Sequence, residues 1–258
     1  MENPRKYGRY SYTVAVIHGG PGASGEMKAV AERLSSSWGV IEPLQTKLSL
    51  QGQIDELKRQ LTNSGNPPIT LISFSWGAWL SLLTAADYPS LIKKVIIIGS
   101  GPFEENYADR TLQIRLQRLS PEDQAEFRAA LNTLQALSHQ ENHAFQKVEN
   151  ITRKTDQYDP ISDADEDIMF RRQVYQEVWR EADILRKSGK LLDRIKEVKC
   201  PVTAIHGEYD PHPAEGVKKP LSRVIEDFQF IPLEKCGHKP WIEKKAKANF
   251  FNILEKQI

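Results

Sequence analysis

The stretch Ile69-Thr70-Leu71-Ile72-Ser73-Phe74-Ser75-Trp76-Gly77-Ala78 holds an apolar run that stops at a serine. It passes at once into a helix-compatible run, Ala78-Trp79-Leu80-Ser81-Leu82-Leu83. A hydroxyl at so sharp a strand-to-helix turn sits in strained backbone geometry and is presented for nucleophilic attack. Strand and helix nearly touch there, so the residues two before and two after the nucleophile must be small. Gly77 meets that need fully, and Ser73 meets it where the G-x-S-x-G pattern has glycine. Ser73 is the rival nucleophile, but at the same offsets it has Leu71 and Ser75, and leucine does not fit the turn. Ser75 is therefore the expected nucleophile. Serines at strand ends are otherwise common turn formers, so the strand and helix on either side carry the reading.

A second feature is His18-Gly19-Gly20-Pro21-Gly22, directly after the first strong apolar run. It lacks G-x-G-x-x-G spacing and any Lys-Ser/Thr pair, which removes support for a phosphate cradle. Beside Ser75 it acquires another use. Acyl transfer needs two backbone N–H groups aimed at the developing oxyanion, one after the nucleophile and one from such a loop. Trp76 and Gly20 are the expected donors, with Gly19 a near alternative.

These groups need elements to hold them. Short Val-, Ile- or Phe-rich segments at 12–17, 40–42, 69–74, 94–98, 202–205 and 228–231 read as strands. Segments 25–34, 50–62, 76–86 and 241–257 read as helices. In the second of these, Leu50, Ile54, Leu57 and Leu61 fall on one face. Alternation of this kind predicts an α/β chain with a mostly parallel sheet covered by helices. The pattern breaks over 101–195, where helical segments at 107–119, 121–138, 143–154 and 165–188 replace strands. Ser120-Pro121-Glu122-Asp123 marks one sharp helix start. The expected organisation is a core made of 1–100 and 196–258, with 101–195 as an inserted helical cap. Between Glu104 and Lys190 there are 17 acids against 13 basic residues.

The loop His18-Gly19-Gly20-Pro21-Gly22 together with Ser75-Trp76-Gly77 resembles the α/β-hydrolase superfamily, and within it the prolyl iminopeptidase-like branch. The likeness runs through about 10–100 and 196–258, and departs from the family pattern at Ser73. It implies an α/β-hydrolase fold with a helical cap and the chain order nucleophile, acid, histidine. The acid then falls at Asp210, in Gly207-Glu208-Tyr209-Asp210, with Glu208 as competitor. The base falls at His238, after Gly237 and ahead of the terminal helix. In that arrangement His238 takes the proton of Ser75 and passes it to the leaving group, while Asp210 fixes the imidazole tautomer. Activity rises with pH as the imidazole loses its proton. The branch implies an aminopeptidase acting on a free N-terminal proline or similar residue. Asp163-Ala164-Asp165-Glu166-Asp167 and the pair Glu177 and Glu181 are candidate partners for the substrate ammonium. A small-molecule carboxylesterase or a carbon–carbon bond hydrolase is the alternative. A non-catalytic ligand-binding protein on the same scaffold is a third reading.

Composition narrows the partners. With 35 Lys and Arg against 34 Asp and Glu in 258 residues, the chain has no field to collect a nucleic acid. No segment approaches the roughly 20 apolar residues of a membrane span. The N-terminal apolar run leads into a Gly-rich turn and reads as a strand, not a signal peptide. Cys200 and Cys236 are expected as reduced thiols, and the expected location is the cytoplasm. The expected partner is a small molecule or short peptide. His139-Gln140-Glu141-Asn142-His143 has zinc-helix spacing without the glutamate after the first histidine, so neither metal nor cofactor is expected. His18 and His206 are expected to support neighbouring groups by hydrogen bonds, and His212 has no assigned role.

Overall fold

Along the apolar runs successive side chains fall on opposite faces, and both faces are covered. Val14, Val16, Ile72, Phe74, Ile96 and Ile98 pack on one side with Met27, Leu34 and Phe250. Ala15, Ile17, Leu71, Val95 and Ile97 pack on the other with Leu57, Leu61, Leu80 and Leu83. A strand buried on both faces reads as a continuous hydrophobic run, which is why these segments show no polar alternation.

The computed structural model describes residues 2–135, 141–161 and 168–258. Its strands are β1 (Arg5–Tyr7), β2 (Tyr12–Ile17), β3 (Ala23–Ser24), β4 (Gly39–Glu42), β5 (Ile69–Phe74), β6 (Ile92–Ile98), β7 (Met169–Phe170), β8 (Val202–Gly207) and β9 (Phe228–Leu233). Its helices are α1 (Lys28–Leu34), α2 (Leu50–Ser64), α3 (Trp76–Asp87), α4 (Glu105–Gln117), α5 (Pro121–Gln135), α6 (Glu141–Asp156), α7 (Arg172–Lys187), α8 (Lys190–Ile195), α9 (Glu215–Val224) and α10 (Lys247–Gln257). Seven strands form one sheet in the order β1-β4-β2-β5-β6-β8-β9. All pairs are parallel except β1 with β4. In an open parallel sheet the crevice beyond the carboxyl ends of the strands is where ligands bind. His18, Ser75, Gly99, Asp210 and His238 all follow such ends.

Several places differ from the sequence reading. The segment expected to be helical from 165 becomes α7 only at Arg172, because Met169 and Phe170 pair with Ser24 and Ala23 just past the Gly-rich loop. The terminal helix begins at Lys247 instead of 241. Residues Pro240–Ile242 form a 3-10 turn, and Ile161 and Lys244 bond across to Ile242 and Asp159. The amphipathic α9, with Val217 and Leu221 buried, escapes the reading because Pro220 lies inside it.

The interval 101–195 divides in its packing. Leu116, Leu119, Phe127 and Ile151 of α4 to α6 and the turn after α4 make a small cluster of their own. Val174, Val178, Ala182, Leu191 and Ile195 of α7 and α8 join the main core. His139 and residues 163–167 lie outside the described residues.

Candidate active site

At the end of β5 the chain turns through Ser75, with φ 49° and ψ −114°, directly into α3. A non-glycine residue in the left-handed region is strained and persists only where the surroundings hold it. Here the Ser75 N–H donates to Ile98 O at 2.9 Å. A Cβ on Gly77 would lie 2.6 Å from His18 O and 2.7 Å from Ile17 O, so the helix can approach β2 this closely only with glycine there. The rival serine is bonded inside the core. Ser73 Oγ lies 2.5 Å from Ser81 Oγ, and both residues are fully buried.

In the Gly-rich loop the Gly19 N–H donates to Glu26 Oε2 at 3.0 Å, and Glu26 Oε1 pairs with Lys239 Nζ at 2.9 Å. The Gly19 N–H is thus engaged. His18 Nδ1–H donates to Gly19 O at 2.8 Å, and its Nε2 accepts the Gln45 N–H at 3.3 Å. The loop is held to α7 by the Arg171 N–H on Gly22 O at 2.9 Å.

Asp210 and His238 are brought together: Nδ1 of the histidine donates to Oδ2 at 2.7 Å. His212 reaches the other oxygen, Oδ1, with its Nδ1 at 2.7 Å and its backbone N–H at 2.9 Å. Glu208, the competing acid, is exposed. The histidine ring lies 4.7 Å from that of Phe74, the residue before Ser75. A Cβ on Gly99 would meet His238 O at 2.7 Å and Asp210 Oδ2 at 3.2 Å, so the ends of β5, β6 and β8 and the loop after β9 converge on one point. Burial raises the Asp210 carboxyl, but His238, His212 and His206 outweigh it and hold the group well below the usual carboxylate range.

The family model of the alpha/beta hydrolase fold matches residues 12–245. The chain belongs to that family. Three solved α/β-hydrolase-like structures illustrate the likeness. VinJ is 18% identical, with 98% of this chain and 94% of that one covered and a TM-score of 0.70. Est816, described as an N-acyl homoserine lactone degrading enzyme, is 14% identical, with 98% and 95% covered and a TM-score of 0.63. The monoacylglycerol lipase of Paleococcus ferrophilus is 14% identical, with 100% and 98% covered and a TM-score of 0.62. At such identities the likeness is one of fold. A comparison with curated protein sequences finds no match.

This α/β-hydrolase ties the α4–α6 stretch, 105–156, to the loops that carry Asp210 and His238. The His238 N–H donates to Asp156 O at 2.7 Å, and the Asp156 carboxylate takes Arg115 through Nε at 2.9 Å and Nη2 at 2.6 Å. Just past the end of α4, Arg118 Nη1 donates to Thr155 O at 2.6 Å and Tyr209 O at 2.8 Å. Fully buried Glu243 accepts the N–H groups of Gly237 and Tyr158 on Oε1 at 2.9 and 2.8 Å, and that of Asp159 on Oε2 at 2.7 Å. None of these ties was foreseen, because all but the Gly237–Glu243 bond join residues 37 to 91 positions apart in sequence.

Of the acids proposed for a substrate ammonium, Glu177 and Glu181 are among the described residues, and both are engaged. Glu177 pairs with Arg180 at 2.5 Å, and Glu181 Oε2 accepts the Leu50 N–H at the start of α2 at 2.7 Å.

Among the described residues, the ligand atoms of Asp210, His212 and His238 lie within 4.8 Å of one another. Their Nδ1 atoms face two different oxygens of one carboxylate at 2.7 Å. Donors around a zinc ion at about 2.0–2.1 Å stand further apart than that. The arrangement is a hydrogen-bond network. No helix among the described residues is long and apolar enough to cross a membrane.

The buried imidazoles make stability depend on pH. Burial lowers His18 and pushes His212 down to about 4. An unfolded histidine binds its proton near pH 6.5. Between about 6.5 and 4 these two groups therefore hold more protons in the unfolded chain than in the native one, and their contribution to stability rises with pH. Buried Glu42, whose carboxyl is raised by desolvation, makes a smaller opposite contribution. Asp210, held low, contributes stability that is present above the unfolded carboxylate value near 4 and is lost as pH falls through its folded value. Thermal melts should show Tm falling as pH drops from about 6.5 to 4, and falling further below. A flat Tm across the upper window would contradict burial of neutral histidines.

Proposed function

We propose that this α/β-hydrolase cleaves carboxylic esters through an acyl-enzyme. One observation carries the reading: a serine at a strained strand-to-helix turn directly follows Phe74, whose ring lies 4.7 Å from an imidazole whose Nδ1 is bonded to a buried carboxylate at 2.7 Å. Ser75 Oγ attacks the ester carbonyl carbon while His238 Nε2 takes its proton. The Trp76 N–H, with no acceptor inside α3 at the first helical position, and the Gly20 N–H receive the oxyanion. Collapse breaks the acyl–oxygen bond, and the alcohol leaves with the proton from His238. Water, deprotonated by the same nitrogen, then attacks the acyl carbon and frees the acid. Asp210 keeps the tautomer that leaves Nε2 unprotonated at the start of each half. Removal of one oxyanion donor costs about 100- to 1000-fold in turnover.

The surroundings of Ser75 support an apolar substrate group. The Trp76 ring lies 6.1 Å from that of Trp179, which stacks on Trp79 at 5.8 Å and on Tyr175 at 6.4 Å. Phe170, next to the Gly-rich loop through the β3–β7 pairing, lies 5.7 Å from Tyr175. Trp76 and Trp79 are buried, whereas Phe170, Tyr175 and Trp179 are partly exposed and offer hydrocarbon contact to a substrate. The engaged states of Glu177, Glu181, Asp156 and Glu26 point the same way.

The Gly-rich loop keeps the aminopeptidase as a second reading. Rates on p-nitrophenyl acetate, butyrate and octanoate, on proline p-nitroanilide and on its N-acetyl form separate the two. The expected result is ester turnover that improves with acyl length and little cleavage of either arylamide. A charge-assisted hydrogen bond to a substrate ammonium is worth about 1.5–3 kcal/mol, or roughly tenfold and more. Cleavage of the free anilide that much faster than the acetylated one, with poor ester turnover, would install the aminopeptidase instead.

A further inference from the structure

Asp210 carries two imidazoles, and the reaction just described uses one. Oδ2 accepts from His238, whereas Oδ1 accepts both Nδ1–H and the backbone N–H of His212. An ionised carboxylate can only accept, so His212 holds its proton on Nδ1. The residue stands between prolines in Asp210-Pro211-His212-Pro213, which confine the backbone on either side. Its carbonyl takes the Nε2–H of buried His206 at 2.9 Å. Its ring lies 4.6 Å from the His238 ring, tilted by 36°. The loop is built to place this imidazole.

We propose that His212 is a positioning residue that sets the pH range of the reaction, by holding Oδ1 of Asp210 with two donors while Oδ2 faces His238. The inference rests on the reading of Ser75, His238 and Asp210 as the reacting set. Donors on Oδ1 do two things. They fix the rotation of the carboxylate, and they stabilise its negative charge locally, which weakens its pull on the proton of His238. Loss of these donors therefore strengthens the hold of Asp210 on the Nδ1 proton of His238 and moves the acid limb of the reaction upward. His212 brings no charge of its own into this range, because burial keeps it neutral down to about 4.

Other charged and titratable groups face the cluster, and none is altered by substitution at 212. Arg115 and Asp156 neutralise each other from α4 and α6. His206 on β8 lies 3.8 Å from Asp210 Oδ2. Glu243 is bonded to three backbone N–H groups, and Lys239 pairs with Glu26. Burial keeps the Cys236 thiol protonated.

The test is the pH dependence, between about pH 5 and 9, of labelling by a fluorophosphonate probe and of p-nitrophenyl butyrate turnover. His212→Leu removes the side-chain donor, and His212→Asn returns an amide N–H close to the place of Nδ1. The leucine variant should shift the acid limb upward by about half a pH unit or more and lower the plateau rate. The asparagine variant should restore the limb to its wild-type position. Should the leucine variant not fold, His212→Gln, whose amide reaches the Nε2 position instead, provides the same contrast. Equal losses of plateau rate in all variants with an unmoved limb would reduce His212 to a packing role and overturn the proposal. A downward shift would overturn it too. Failure of the underlying reading looks different: wild-type protein that takes no label at any pH.

Discussion

Ser75→Ala abolishes fluorophosphonate labelling and lowers ester turnover by about 10⁴-fold or more, the scale set by nucleophile removal in other serine hydrolases. Ser73→Ala keeps the label. The contrast is large because the two hydroxyls, two residues apart, live in different surroundings: Ser73 is bonded to Ser81 inside the core, and Ser75 stands at the turn. A further arm separates chemistry from folding. At φ 49° any side chain is strained, so Ser75→Gly should melt higher than Ser75→Ala while being equally inactive. Mass spectrometry of labelled peptides and paired thermal melts read both effects. Label on Ser73, or full turnover in Ser75→Ala, would remove the turn from the mechanism.

Asp210→Asn is expected to lose about 10⁴-fold in turnover while the fold is retained. The geometry around this carboxylate makes the loss hard to avoid. An amide has one accepting oxygen where the carboxylate has two. Oδ1 faces two donors from His212, and Oδ2 faces one from His238. The amide oxygen therefore settles on the His212 side and turns its NH₂ toward His238. His238 must then accept on Nδ1 and carry its proton on Nε2, where it can no longer take the proton of Ser75. Turnover and melting temperature measured side by side give the result. Near wild-type turnover in Asp210→Asn, with an inactive Glu208→Gln, would move the acid to the exposed residue on the same loop.

How much of this could be read beforehand follows from where the information lies. Ser75 was accessible because strand, small residue and helix are adjacent in the chain. The strands were accessible because burial on both faces leaves uninterrupted apolar runs, as in 69–74 and 94–98. Asp210 and His238 came from family order, not from local pattern; a Gly-His dipeptide carries little on its own. His212 read as an idle loop residue, since its meaning depends on an oxygen of Asp210 whose direction no sequence window contains. The short edge strand Arg5–Tyr7 is too polar to stand out. Phe170 was folded into a helix because its pairing with Ala23 joins segments nearly 150 residues apart. Glu243 read as part of a lysine-rich helix, although its carboxylate serves three N–H groups of the site's margins.

Those last contacts bear on how such a protein can diversify. An inserted block is often regarded as a cassette, exchangeable without disturbing the chassis beneath. Here the middle of the block, from Thr155 to Asp159, supplies the acceptors for His238 and Arg118 and donors for Glu243. Swapping the whole cassette would strip the histidine loop of its anchors. Room for new specificities therefore lies in α5, the first turns of α6 and the aromatic face of α7. The seam at 155–159 has to travel with the sheet.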